Sequence, residues 1–116
     1  MIEKLSGRPF AEFLEEKIFE PLRMKDTGFY VPNGELDRLA SLYIGGDAGG
    51  LVNAPPTIDA AIMRFDAPRT LPSGGGGMVS TAGDYLKFAQ MLLNGGELDG
   101  VRILGQETVK QMTSNH

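Results

Sequence analysis

The chain has 116 residues, 41% of them hydrophobic, with 15 acidic and 11 basic side chains and a net charge of −4. That is the size of one folded domain, able to bury about two thirds of its unfolded surface. An acidic balance with no basic run argues against nucleic acid or an anionic membrane as partner, and no apolar stretch reaches the roughly 20 residues of a membrane span. The absence of cysteine removes disulfides, thiol nucleophiles and cysteine-held metals. A single histidine, His116, leaves little for a histidine site, so neither metal nor cofactor is expected.

In chain order, Met1 to Ser6 reads as the last turns of a helix closed by Gly7, the tail of a longer element because so short a helix is marginal alone. Pro9 suits the first turn of a second helix. Its apolar stripe is Phe10, Phe13, Leu14, Ile18 and Phe19, while Glu12, Glu15, Glu16 and Lys17 are expected to face water. Pro21 ends it, with Leu22 and Met24 docking the turn that follows. Glu16 and Glu20 lie near the negative end of the helix dipole, with no compensation visible in the sequence.

From Asp26 to Leu71 the helical period is lost. Asp26-Thr27-Gly28 and Pro32-Asn33-Gly34 are turn chemistry, and Phe29-Tyr30-Val31 between them has strand propensity. Leu39 to Ile44 is expected as a strand returning through Leu51-Val52 across the glycine-rich 45–50 loop, with a further extended segment near Ala60 to Phe65. So long an irregular stretch is usually functional or packed on something else.

The most legible unit is Pro72 to Gly96. Four glycines, Gly74 to Gly77, precede Thr81, a helix N-cap with Asp84 three positions on. Tyr85, Phe88, Ala89, Leu92 and Leu93 follow as one apolar stripe, read as core-facing, and Gly95-Gly96 stop the helix. Leu98-Asp99-Gly100-Val101 is a turn into extended Val101 to Leu104. A last helix begins near Gln106, with Leu104 and Val109 placed for a hydrophobic staple.

Each kind of catalysis demands its own spacing. A serine nucleophile needs a base against its hydroxyl. Ser6, Ser41, Ser73 and Ser80 are followed three places on by Pro9, Ile44, Gly76 and Gly83, so no Ser-x-x-Lys pair exists, and there is no Gly-x-Ser-x-Gly elbow. A serine–histidine–aspartate triad would have to recruit His116 from the chain end. The glycine run is no phosphate loop, since no Gly-Lys-Ser/Thr follows it. Glu12, Glu15 and Glu16 read as a solvated helix face rather than a glycosidase pair.

Several stretches nonetheless resemble one family. Ile2 to Phe10, Ile18-Phe19-Glu20-Pro21-Leu22-Arg23-Met24-Lys25-Asp26-Thr27-Gly28-Phe29, Gly76-Gly77-Met78-Val79-Ser80-Thr81-Ala82-Gly83-Asp84, Leu92 to Gly96 and Gln106 to His116 resemble, in order, the serine β-lactamase and penicillin-binding-protein-like hydrolases of the class C and esterase-like branch. Arg23 stands where that family's Pro-Leu-Gly-Met turn has glycine.

The resemblance implies a mainly α chain with short β-hairpin and irregular segments (α+β), the helical lobe of a β-lactamase-like fold. Residues 1–116 would form a single partial domain between the family's Tyr-x-Asn and Lys-Thr-Gly motifs. Neither motif is present, nor is Ser-x-x-Lys. The implied function is that of a fragment of an acyl-serine hydrolase of amides or esters, inactive alone, with β-lactam or ester substrates belonging only to a complete parent. Ser73, Gly75, Gly76, Gly77 and Met78 are the candidate binding residues, since in this family their segment approaches the cleft as a wall; the same run also reads as a plain turn feeding the helix. The alternative is a ligand-binding or self-associating module, a homodimer formed through surface that a missing lobe leaves uncovered. An independent small hydrolase is a third reading, disfavoured by the lack of any base spaced to serve a serine.

Overall fold

The computed structural model describes residues 1–47, 49–53, 65–68 and 72–115. It falls into two compact units, Met1–Gly28 with Ser80–His116, and Phe29–Val79. The described architecture is mixed: helices, with two small antiparallel strand pairs.

The first unit begins with α1 (Ile2–Ser6), closed by Gly7 at φ 70 with its N–H on the Glu3 carbonyl. The Glu3 carboxylate also accepts the Phe10 N–H at 2.8 Å, so α1 caps the start of α2 (Phe10–Leu14). Pro9 precedes that start as its N-cap, extended at ψ 142. The second helix then widens into a π-helical turn, Glu15–Phe19. Glu16 is half-buried rather than facing water, because Arg8 and Lys17 both pair with it.

The core consists of Phe19, Leu22, Met24 and fully buried Met91, with Leu14, Ile18, Phe88, Leu92, Leu98 and Ile103 packed around it. Removing a side chain such as Met91 would cost about 2–5 kcal/mol by the usual sum of transfer and cavity terms. Helix α3 (Ala82–Leu93) is capped by Thr81 and released at Gly95 and Gly96, φ 72 and 97, whose N–H groups return to Leu92 and Met91. Gly96 is obligatory: a Cβ there would sit 2.2 Å from the Leu104 carbonyl oxygen. Strands β3 (Glu97–Leu98) and β4 (Val101–Arg102) pair across Asp99-Gly100, both at positive φ, the twist a two-residue hairpin prefers. Helix α4 (Gln106–Thr113) buries Val109.

One expectation fails on α3. Phe88, Met91 and Leu92 face the core, but Tyr85, Leu86 and Leu93 are 66%, 65% and 80% exposed, and Ala89 is exposed with them. The helix carries two apolar arcs, and the unit's own side chains cover only one.

In the second unit Pro32 opens a 3-10 turn, Asn33–Arg38. Phe29-Tyr30-Val31 forms no strand; the Val31 N–H instead donates to the Phe65 carbonyl at 2.6 Å. The expected hairpin is present but shorter, β1 (Tyr43–Gly45) against β2 (Leu51–Asn53) with Ile44 opposite Val52. Its first strand starts late because Leu39 is spent closing the 3-10 turn, its N–H on Leu36. The extended segment expected near Ala60 lies outside the described residues, save Phe65.

Candidate functional site

The sequence places its candidates on the glycine run, within the second unit. Ser73 folds back on its own turn, its Oγ accepting the Gly75 N–H at 3.2 Å, the local bond by which serine stabilises a turn. Gly75 and Gly76 are exposed, Gly77 is half-buried, and Met78 is 38% exposed. Only Gly77 of these three glycines needs to be glycine for its conformation, at φ 86. A Cβ on Gly76 would meet nothing within 4 Å, and one on Gly75 only Ser73 Oγ at 3.8 Å. The structure thus brings Ser73 and Gly75 together and leaves the backbone open at Gly75 and Gly76.

Among the described residues, the densest polar constellation lies in the first unit, at the start of α3. Thr81 Oγ1 accepts the Asp84 N–H at 3.2 Å, which fixes the first turn and turns the Asp84 side chain inward. Asp84 is 4% exposed. Its Oδ2 accepts the Asp26 N–H at 2.7 Å and the Thr27 hydroxyl at 3.1 Å; its Oδ1 accepts Lys87 Nζ at 2.8 Å. Lys87 Nζ also donates to the Arg23 carbonyl at 2.5 Å. The Thr27 and Ser80 hydroxyls share a hydrogen bond of 2.8 Å. A buried carboxylate therefore clasps the 23–27 turn to the helix, through one lysine, one hydroxyl and one backbone amide.

Burial pushes the Asp84 carboxyl up, but the Lys87 hydrogen bond, the Asp26 amide, the Thr27 hydroxyl and the Lys87 charge together hold it below its ordinary value. The clasp chemically resembles a fragment of a relay, Ser80 to Thr27 to Asp84. Its carboxylate is nonetheless a poor base, stabilised in the ionised form and separated from Ser80 by the threonine. The arrangement ties the 23–27 turn to the start of α3. No group of three or more acidic, histidine or cysteine side chains suited to hold a metal occurs among the described residues.

Sequence reasoning reads Asp84 only as a dipole partner and misses its contacts to residues 58 and 57 positions earlier. The available signal is the Thr81-x-x-Asp84-x-x-Lys87 spacing, which lines up a cap, an acid and a base on successive turns.

The family described as Beta-lactamase matches residues 1–116. Protein Rv1367c of Mycobacterium tuberculosis is 34% identical over 118 residues, 99% of this chain and 27% of that protein. Esterase EstB of Burkholderia gladioli is 31% identical over 103 residues, 79% of this chain and 26% of the esterase. The octameric penicillin-binding protein homologue from Pyrococcus abyssi has a solved structure similar to this chain at TM-score 0.71 and 27% identity, over 97% of this chain and 22% of the homologue. The chain spans about a quarter of the length of each of these relatives.

Proposed function

The chain belongs to the β-lactamase family, and we propose that it serves as the helical part of an acyl-serine hydrolase of amides or esters, supplying scaffold and cleft wall but no acylating group. The observation that carries this reading is the family match over residues 1–116 in a sequence with no Ser-x-x-Lys, Tyr-x-Asn or Lys-Thr-Gly. The geometry supports it from another side. Ser80, the one described serine linked to a carboxylate, reaches it only through Thr27, and Asp84 is held ionised by Lys87. In this role the segment of Ser73 and Gly75 to Met78 is the wall, and the Asp84 clasp keeps the helix that follows it in place.

Intact-mass spectrometry after incubation with a reactive penicillin and, separately, a fluorophosphonate tests the reading. No adduct is the expected result. A stoichiometric adduct on one serine would overturn it and make the chain an acyl-transfer enzyme in its own right.

A second reading, self-association, is favoured by the outer arc of α3. Ala82, Tyr85, Leu86, Ala89 and Leu93 form an exposed apolar stripe without a charge, and both charged residues of the helix, Asp84 and Lys87, are committed to the clasp. Such a face meets a copy of itself with no like charges opposed. Light scattering over a wide concentration range should show a dimer that Leu86→Glu abolishes; a monomer throughout removes this reading and leaves the first intact.

A further inference from the structure

The sequence contains two Asn-Gly pairs, Asn33-Gly34 and Asn94-Gly95, and the fold treats them oppositely. In such a pair the glycine amide nitrogen is able to attack the asparagine side-chain carbonyl, because no Cβ shields the approach. Attack needs an uncommitted amide nitrogen, a side chain free to swing over it and a backbone free to rotate.

Asn94-Gly95 is held on every count. The Gly95 N–H donates to the Leu92 carbonyl at 3.0 Å, and Gln90 Nε2 donates to Asn94 Oδ1 at 2.8 Å, tethering the side chain back along α3. The backbone around it is pinned as well. The Gly96 N–H returns to the Met91 carbonyl at 2.9 Å, and Arg102 Nη1 donates to the Gly95 carbonyl at 3.2 Å. Asn33-Gly34 has no such restraint. Both residues are exposed, at the start of the 3-10 turn Asn33–Arg38. Among the described residues, no hydrogen bond engages the Asn33 side chain or the Gly34 N–H. Hydrogen bonds of 3-10 geometry are poorer than α-helical ones, and an exposed turn opens at low free energy. Nor does the turn need glycine for its shape. Gly34 is not at positive φ, and a Cβ there would meet nothing within 4 Å.

We propose that Asn33 is a site of spontaneous covalent modification, converting through a succinimide to isoaspartate and aspartate, while the fold guards Asn94. The Gly34 nitrogen gives up its proton to solvent base and attacks the Asn33 side-chain carbonyl carbon. The new C–N bond closes a five-membered ring, and the bond to the side-chain nitrogen breaks, releasing ammonia once that nitrogen has taken up a proton. Water then adds to either ring carbonyl and breaks one ring C–N bond. One opening gives aspartate; the other gives isoaspartate, with the main chain routed through the former side chain. Water is consumed, ammonia is released, and nothing is oxidised or reduced. Either product puts a new carboxylate in the same turn as Glu35 and Asp37. Isoaspartate also lengthens the backbone beneath the 2.9 Å bond from the Glu35 N–H to the Pro32 carbonyl, which starts that turn. The inference makes no use of the acyl-serine reading and stands or falls apart from it.

The test is incubation of the 116-residue chain in mildly alkaline buffer, sampled over time by peptide mapping and mass spectrometry. A protease that cuts before aspartate but not before isoaspartate separates the two products. The peptide holding residue 33 should convert from amide to acid and show both. The peptide holding Asn94 should convert at least about tenfold more slowly, because its Gly95 and Gln90 hydrogen bonds must open first. In urea sufficient to unfold the chain, the two pairs should convert at similar rates. Gly34→Ala fits the turn and should slow conversion at residue 33 by about tenfold, its Cβ hindering the attack. A stable Asn33 in the folded chain, equal rates at residues 33 and 94 before unfolding, a difference that persists in urea, or an undiminished rate in Gly34→Ala would overturn the proposal.

Discussion

Asp84 and Glu15 belong to the same compact unit and show two opposite treatments of a carboxylate. Asp84 is buried at the front of a helix, where backbone N–H groups are in surplus, and it receives a lysine, a hydroxyl and an amide. Glu15 lies toward the back of a helix, beside Glu20, and receives no donor among the described residues. The first carboxyl is lowered and the second raised, for reasons that are almost mirror images. Helix polarity sets the starting bias, and long-range partners decide whether it is used for stability. Where partners are supplied the carboxylate is a clasp; where they are not, it stays at the solvent-exposed surface.

The largest effect expected from breaking this contrast is at Asp84. Asp84→Ala leaves the Asp26 N–H and Thr27 hydroxyl without this acceptor and strips Lys87 of its counter-ion. Lys87 is 40% exposed and rehydrates, so the loss should be about 3 kcal/mol rather than the full penalty of a dry buried pair. The midpoint of urea unfolding measures it. A loss below about 1 kcal/mol would mean that the clasp contributes little, and the comparison with Glu15 would lose its stabilising half. Acid should reproduce the effect in part. Because the folded carboxyl sits below its ordinary value of about 3.9, its contribution is present above that value and is lost as pH falls through the lowered one.

The two carboxylates also differ in how far the sequence could reveal them. Local punctuation was readable: Gly7, Thr81, Gly95-Gly96 and the Asp99-Gly100 turn all end or begin elements where the residue chemistry requires. Those rules act within a few residues. The partners of Asp84 sit in a turn far away in the chain, and nothing at Thr27 announces them. The π-helical turn likewise has no signature within Glu15 to Phe19 that the sequence pattern could detect, and it ends on the core residue Phe19. Tyr85 escapes the sequence pattern for a related reason. Period 3.6 detects an apolar arc but does not choose between two, and Phe88-Met91-Leu92 competes with Tyr85-Leu86-Leu93 on one helix. The β-lactamase resemblance was legible because it depends on words spread along the chain rather than on contacts, and the family match bears it out. The glycine run could be identified as a turn, but which of Gly75, Gly76 and Gly77 truly needs positive φ was visible only in the backbone.

The smallest effect sharpens the comparison most, because its sign is opposite. Glu15 is exposed, so replacing it removes only a screened like-charge contact with Glu20 and a modest desolvation cost. Glu15→Gln should therefore stabilise the chain at neutral pH, by roughly 0.3–0.5 kcal/mol, the scale of a helical like-charge pair. Its folded carboxyl is raised, so the folded state takes up a proton more readily than the unfolded one, and the ionised group is a cost above that raised value. As pH falls through it the cost is relieved, and below the ordinary glutamate value of about 4.3 the parent and the variant should be equally stable. Urea midpoints for both proteins between about pH 7 and about pH 3.5 would trace this convergence. A gap that stays constant with pH would show that the substitution acts through packing or helix propensity, and that the Glu15–Glu20 repulsion is already quenched by solvent.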